Sequence, residues 1–388
     1  MDKTPDWIKN LKDPVVKQGR YKIPIYSPYL KGNEKKYLLR SLDSTWLSSK
    51  GEYVNKYERS FASFCRAPYA VSTSSGTSAL FLALKLAGIK PKDEVIIPAF
   101  TMISTAFAVS YTGATPVFVD CNFSDGNISV EQIEQKITKH TKAIIPVHIY
   151  GNPYDLDSLY ALADKYNLAV IEDAAEAFGS EYKGKKIGGT GKTACFSNYI
   201  NKIVTTGEGG MITIFDKKQC ATLKKLNNYF FSGTRHFWHE KIGYNFRITN
   251  LQAAVGLAQL ETAQKVISKK RQIFRIYKTL LNPVREYLSP LKENSLGKSN
   301  YWHAAFRVSH EKYNIQKLRN KLAQNGIETR TFFIPLHLQP VYRKSLYYGK
   351  FPNSEILAKT GILLPSGPDL TDNWIENITQ LIKRFFLR

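Results

Sequence analysis

The chain carries only four cysteines in 388 residues. Cys65, Cys121, Cys195 and Cys220 stand far apart, with no C-x-x-C pair and no histidine cluster beside them. That spacing excludes a disulfide framework and a paired-cysteine zinc module, so no metal site is expected and a reducing cytoplasm is the simplest setting. Long apolar runs are also missing. Charge interrupts every hydrophobic stretch well short of the roughly 20 residues that a membrane span needs, so no span is expected. The opening stretch "MDKTPDWIKNLKDPVVKQGR" has neither an apolar core segment nor a small-residue cleavage site, and it reads as a loose arm rather than a secretory signal. Acid is scarce as well: 32 Asp and Glu face 55 Lys and Arg, a net charge of +23. Such an excess fits a nucleic acid, an anionic membrane surface or anionic small molecules. The basic residues are spread along the chain, from "NEKKYLLR" through "ISKKRQIFR" to "LIKRFFLR". No RNA-binding, zinc-finger or basic-zipper signature accompanies them, and a nucleic-acid partner is not expected.

What is present is enough for sizeable cores. Apolar residues are 43% of the chain and aromatics 13%, and the length suggests two domains. Helical periods and short apolar runs alternate through the first two thirds. Helices are predicted at "EKKYLLRSLDS", "EYVNKYERSFASFC", "SGTSALFLALKLAG", "STAFAVSYTG", "VEQIEQKI" and "LDSLYALADKYN". Strands are predicted at "EVIIP", "PVFVD", "AIIPVHIYG" and "AVIEDAAEA". Continuous apolar strands between helices indicate a mostly parallel sheet covered on both faces, an α/β fold. From Thr249 a long helical run follows, and then the strand-like "YWHAAFRVS" and "ETRTFFIPLHL" flank a helix at "IQKLRNKLAQNG". The expected division is an arm at 1–22, a large domain at 23–264 and a smaller C-terminal α+β domain at 265–388.

Three local features point to chemistry when taken together. "STSSGTSAL" is a loop of small residues running into a helix, whose free N–H groups and the hydroxyls of Ser75 and Thr77 make an anion site. It matches neither the Walker pattern nor G-x-G-x-x-G, which counts against a nucleoside triphosphate or Rossmann site. Asp173 stands at the C-terminal end of a buried strand, where open parallel sheets present ligand-binding groups. Lys202, in "NKIVTTGEGGM", lies between strand-like flanks beside a glycine-rich turn. A lysine partly desolvated there loses proton affinity and becomes a nucleophile fit for a Schiff base. A phosphate anchor, a carboxylate for a ring nitrogen and an amine are what pyridoxal 5'-phosphate requires.

These segments, with "GNEKKYLLRSLDSTWLSSKGEYV", "KDEVIIPAFT", "PVHIYG" and "GYNFRITNLQAAVGLAQLE", resemble the DegT/DnrJ/EryC1/StrS sugar-nucleotide aminotransferases, and in particular their C4-aminating branch. The resemblance implies a fold-type I pyridoxal-phosphate transferase acting as a homodimer with shared active sites. It implies that Lys202 is the Schiff-base lysine, that Asp173 holds the pyridine nitrogen, and that Glu176 lies near the ring hydroxyl. Ser75, Gly76, Thr77 and Ser197 would take the phosphate, and Asn245 would reach the phosphate of the neighbouring subunit. Met102 stands where the family usually carries a ring that stacks on the cofactor; a thioether packs there less rigidly. Trp46, Lys50, His148, Arg247 and His337 are the substrate-binding candidates. A dehydratase branch has histidine at the position of Lys202, so this lysine favours transamination. The implied reaction moves an amino group from L-glutamate to C4 of a nucleotide-linked 4-keto-6-deoxy sugar, with a GDP sugar as first choice. The alternatives are a UDP or dTDP sugar, or a catalytically silent regulator of the same fold.

Overall fold

The computed structural model describes residues 4–14, 21–231, 235, 237–309, 313–343 and 349–387. Of the expected arm, residues 1–3 and 15–20 lie outside the described residues. Seven strands make the central sheet. In chain order come β1 (Tyr69–Thr73), β2 (Glu94–Pro98), β3 (Thr115–Val119), β4 (Thr141–Ile144) and β5 (Ala169–Asp173). A short hairpin outside the sheet follows, β6 (Glu181–Tyr182) with β7 (Lys185–Lys186), and then β8 (Thr193–Ser197) and β9 (Gly210–Ile214). The spatial order is β1-β9-β8-β5-β4-β2-β3. β3, β2, β4, β5 and β8 run parallel, whereas β9 is antiparallel to both β1 and β8.

Side chains alternate between faces along a strand, and here both faces are apolar. Ile96, Val117, Ile144, Val170, Phe196 and Met211 enter one core, against the helices Glu52–Cys65 and Asn250–Leu280. Val95, Ile97, Phe118, Ala143, Ile171, Cys195 and Ile212 enter the other, against Gly76–Leu86, Ile103–Tyr111 and Lys217–Leu226. This explains the unbroken apolar strands in the sequence.

The helix Asn250–Leu280 starts at a capping box, in which Thr249 and Gln252 satisfy each other's backbone N–H groups. Its first half gives Ala253, Leu260 and Ile267 to the large core, and its second half gives Ile273, Phe274 and Tyr277 to another. The expected boundary at 264–265 thus falls inside an unbroken helix. Beyond it lie β10 (Leu288–Pro290), β11 (Gly297–Lys298), β12 (Ala304–Val308), β13 (Arg330–Thr331) and β14 (Gly361–Leu364). β11 pairs with β6, and the others form an antiparallel sheet in the order β10-β12-β14-β13. The helix Asp372–Phe386 lays Ile375, Ile378, Ile382 and Phe386 into its core at helical spacing.

Two expected strands are shorter than their sequence pattern suggests. In "AIIPVHIYG" the continuous ladder stops at Ile144, because Pro146 has no N–H to give; pairing with β5 resumes once, at Val147 opposite Asp173, where the Pro146 carbonyl accepts from Asp173 N at 2.9 Å. Ile149–Gly151 then forms a 3₁₀ turn. In "ETRTFFIPLHL" only Arg330–Thr331 pairs, and Leu336–Leu338, after Pro335, is again a 3₁₀ turn.

Candidate active site

The sheet brings three chain segments to one rim. β5 ends on Asp173 and β8 on Ser197, while β1 leads into Ser75–Thr77 at the start of the helix Gly76–Leu86. Ser75 caps that helix, its side chain accepting from Ser78 N at 3.0 Å. The first-turn N–H groups of Gly76 and Thr77 have no carbonyl within the helix to bond, and both residues line the cavity described below. Close approach requires glycine here: a Cβ on Gly76 would lie 2.9 Å from that of Ser197, and one on Gly210 would lie 2.3 Å from the Ser75 carbonyl oxygen.

The connection from β8 to β9 carries Lys202. Asn198 closes it at both ends, donating to Gly209 O at 2.8 Å and accepting from Thr206 N at 2.9 Å. Lys202 is 9% exposed. Its Nζ lies 3.7 Å from the centre of the Trp302 ring, and its backbone carbonyl accepts from the Tyr26 hydroxyl at 2.9 Å. Burial lowers its proton affinity below that of an ordinary lysine, while Glu176 and Asp173 oppose that shift.

Asp173 is buried. The Thr105 hydroxyl donates to one of its oxygens at 2.7 Å and Ala175 N to the other at 3.1 Å. Burial raises its carboxyl, against the pull of Thr105, Ala175, Lys202 and His148. Glu176 accepts from Tyr150 N at 2.6 Å; burial pushes it up to about 7, with Lys202 pulling it down. Tyr150 takes a left-handed φ of 52°, a conformation costing about 1–2 kcal/mol for a residue with a side chain. It is held at both ends, since its hydroxyl accepts from Phe333 N at 3.2 Å.

These groups surround one cavity of about 360 Å³, which Ser75, Gly76, Thr77, Met102, Asp173, Glu176, Ser197 and Lys202 all line. Met102, 49% exposed, sits at its mouth. The remaining candidates lie elsewhere. His148 is fully buried behind the sheet end, with Nε2 2.9 Å from Glu172 and its ring stacked on Tyr154; Tyr160 and Thr190 donate to the other Glu172 oxygen. His337 packs on Phe351 and pairs with Glu355 at 3.1 Å. Lys50 and Arg247 line a separate, shallower cleft with Asn228 and Lys224. Arg247 holds Asn245 there, its Nη2 donating to Asn245 Oδ1 at 2.8 Å. Trp46 is exposed near the start of the long helix, its carbonyl accepting from Asn250 Nδ2 at 2.7 Å.

Sequence reasoning missed Trp302, Thr105, Tyr150 and Phe333. Thr105 carried no signal beyond its place in the first turn of a helix. Trp302 and Phe333 fall in segments that read as ordinary strands.

An α/β sheet with a desolvated lysine, a carboxylate at a strand end and a hydroxyl-lined helix start defines a pyridoxal-phosphate-dependent aminotransferase. Residues 28–383 match the DegT/DnrJ/EryC1/StrS aminotransferase family, and the chain belongs to it. It is 45% identical over 366 residues to the GDP-perosamine synthase of Escherichia coli O157:H7, covering 94% of this chain and 98% of that one. It is 40% identical over 371 residues to the GDP-perosamine synthase of Vibrio cholerae, covering 94% and 99%. The sugar aminotransferase Spr1654 of Streptococcus pneumoniae, solved in its PLP form, superposes with a TM-score of 0.88 at 26% identity, over 94% of this chain and 98% of that one.

The donor set fits the cofactor. The amine and the two carboxylates share the cavity with a hydroxyl- and N–H-bearing rim at Ser75, Gly76, Thr77 and Ser197. Among the described residues no group of three or more His, Cys, Asp and Glu is placed to hold a metal ion, and no helix is long and apolar enough to cross a membrane.

Proposed function

We propose that the protein transfers the amino group of L-glutamate to C4 of GDP-4-keto-6-deoxymannose, giving GDP-perosamine, in the cytoplasm and as a homodimer. The observation that carries this reading is the identity to two GDP-perosamine synthases over nearly their whole length, supported by Lys202 lining the cavity with Asp173 and Glu176. Pyridoxal phosphate, when bound, supplies a carbon that carries the amino group and a ring that takes up the electrons left at the donor's α-carbon.

The chain's own residues do the rest. Asp173, anchored by Thr105 and Ala175, holds the proton on the ring nitrogen. Its burial strengthens that charge pair by removing competing water. Glu176, fixed by Tyr150 N, would lie on the ring's hydroxyl side. The N–H groups and hydroxyls of Ser75, Gly76, Thr77 and Ser197 hold the phosphate. Lys202 would take the proton from the donor's α-carbon as an amine and, as an ammonium, hand it to the carbon that carries the amino group, a role suited to a lysine whose proton affinity burial has lowered. The cleft at Lys50, Asn228 and Arg247 is the surface we assign to phosphates reached from the second subunit, with Asn245 beside it.

The test follows absorbance of the bound cofactor. The loaded protein is converted with L-glutamate, the donor is removed, and GDP-, UDP- and dTDP-linked 4-keto-6-deoxy sugars are added separately. The starting spectrum is expected to return with the GDP sugar alone. Return with another sugar overturns the substrate assignment, and a protein that no amino donor converts is not a transaminase.

A further inference from the structure

The reaction requires Lys202 to be free for part of each cycle, and a flexible four-carbon amine released into a cavity of this size would sample many positions. The structure provides a place for it. The amine lies 3.7 Å from the ring centre of Trp302, closer than the roughly 6 Å within which an indole face attracts a cation. Trp302 is 5% exposed, so the contact is shielded from water. Its indole is fixed from both sides. The ring N–H donates to Asn201 O at 2.8 Å, the residue just before Lys202, and the backbone N–H donates to Asn300 Oδ1 at 2.8 Å. Asn300 in turn donates to Glu176 O at 2.8 Å, so the ring is tied to the same framework that carries the glutamate. Among the described residues the Lys202 amine makes no hydrogen bond to protein. Asp173 and Glu176 attract it through space, and the indole is the group in direct contact.

We propose that Trp302 is a positioning residue: its indole face is the resting place of the Lys202 ammonium whenever the lysine is not joined to the cofactor, and it favours the protonated state in which Lys202 returns its proton. The inference rests on the transaminase reading for its purpose but not for its test. A released ammonium against a fixed π face stays within reach of the carbon it must serve, and the entropy of searching for it is removed in advance. The indole also offers charge stabilisation without a hydrogen bond that the amine would have to break.

The test needs neither donor nor sugar. The apoprotein is labelled competitively with acetic anhydride across a range of pH, and peptide mass spectrometry reads the titration of each lysine. Wild type is compared with Trp302→Phe, which keeps a weaker π face, and Trp302→Leu, which keeps an apolar filling without one. The exposed Lys50 serves as internal reference. Losing the indole is expected to lower the Lys202 midpoint by roughly half to one and a half pH units in the Leu variant and by less in the Phe variant, with Lys50 unmoved. An unchanged or raised Lys202 midpoint in both variants overturns the proposal, including the rise that water entering a loosened pocket would produce. If the Leu variant does not fold, the Phe variant alone decides by the same criterion. Failure of every amino donor to convert the wild-type protein would sink the transaminase reading while leaving the labelling result intact.

Discussion

At the scale of single residues, Lys202 is separated from Lys270, the other lysine buried among the described residues, by what surrounds each. Lys202 has two carboxylates and an aromatic face about it, and replacing it by alanine is expected to slow the glutamate half-reaction by about 10⁴-fold or more, read from the cofactor spectrum in single-turnover mixing. Residual conversion within tenfold of wild type would remove it from that role. Lys270, in the long helix, has no carboxylate partner. Its Nζ donates to Ser366 O at 2.7 Å, and burial lowers it to about 7. An unfolded lysine holds its proton to above pH 10, so between about 7 and 10 the unfolded chain binds more protons and stability rises with pH. The slope is at most about 1.4 kcal/mol per unit. Below about 7 both states hold the proton and the contribution is constant. Lys270→Met is therefore expected to flatten the rise in urea midpoint between pH 7 and 9; parallel curves for wild type and variant would show that Lys270 is not the source.

At the scale of elements, the 3₁₀ turn Ile149–Gly151 at the sheet end lies against Asn300 and Phe333. Gly151 has φ +88°, and a Cβ there would lie 1.9 Å from Asn300 Oδ1. Asn300 donates to the carbonyls of Glu176 and Phe178, so Gly151→Ala is expected to destabilise the protein by about 2–4 kcal/mol and to weaken cofactor binding. Thermal melts with and without pyridoxal phosphate would show both; a melting temperature unchanged in each would show that the close approach of Gly151 to Asn300 is not needed. This turn also marks where the sequence stopped being readable. Four central strands, β2 to β5, could be read because both faces are apolar, so each leaves a dense local signal; β8 and β9 showed only as the strand-like flanks of Lys202, and β1 was not read. "AIIPVHIYG" looked like one strand because its apolar content is uniform, yet the missing N–H of Pro146 ended the ladder. The site divided in the same way. Residues on contiguous small-residue or strand-end motifs, such as Ser75, Asp173 and Lys202, stood out. Trp302 did not, since it reaches the cavity from a segment about a hundred positions away and nothing local distinguishes it from a core tryptophan.

At the scale of the whole molecule, two groups of candidates stand apart, with Trp46, His148 and His337 in neither. One lines the cavity with Lys202. The other, Lys50 and Arg247, lies on a separate cleft, with Asn245 hydrogen-bonded to Arg247. If that cleft completes the site of a second copy, as proposed, two inactive variants should repair each other. Lys202→Ala mixed in equal amounts with Asn245→Ala and allowed to exchange subunits is expected to recover about a quarter of the wild-type sites, measured as turnover with glutamate and the GDP sugar. No recovery would place Asn245 outside the shared site. The net charge of +23 also bears on the molecule as a whole. Diffuse positive potential gathers a nucleotide sugar, so KM for that substrate is expected to rise with salt more steeply than KM for glutamate; equal salt responses would remove that role.

The antiparallel strand β9 has a consequence for how the molecule is made. β1 lies at the edge of the sheet and has β9 as its one neighbour, Tyr69 opposite Ile214. During synthesis β1 leaves the ribosome long before β9 and has nothing to pair with until the lysine-bearing connection has also emerged. The phosphate rim after β1 and the lysine before β9 are therefore joined in one late event. A nascent chain stalled ahead of residue 210 would carry β1 as an unpaired strand, open to association with other chains until β9 emerges.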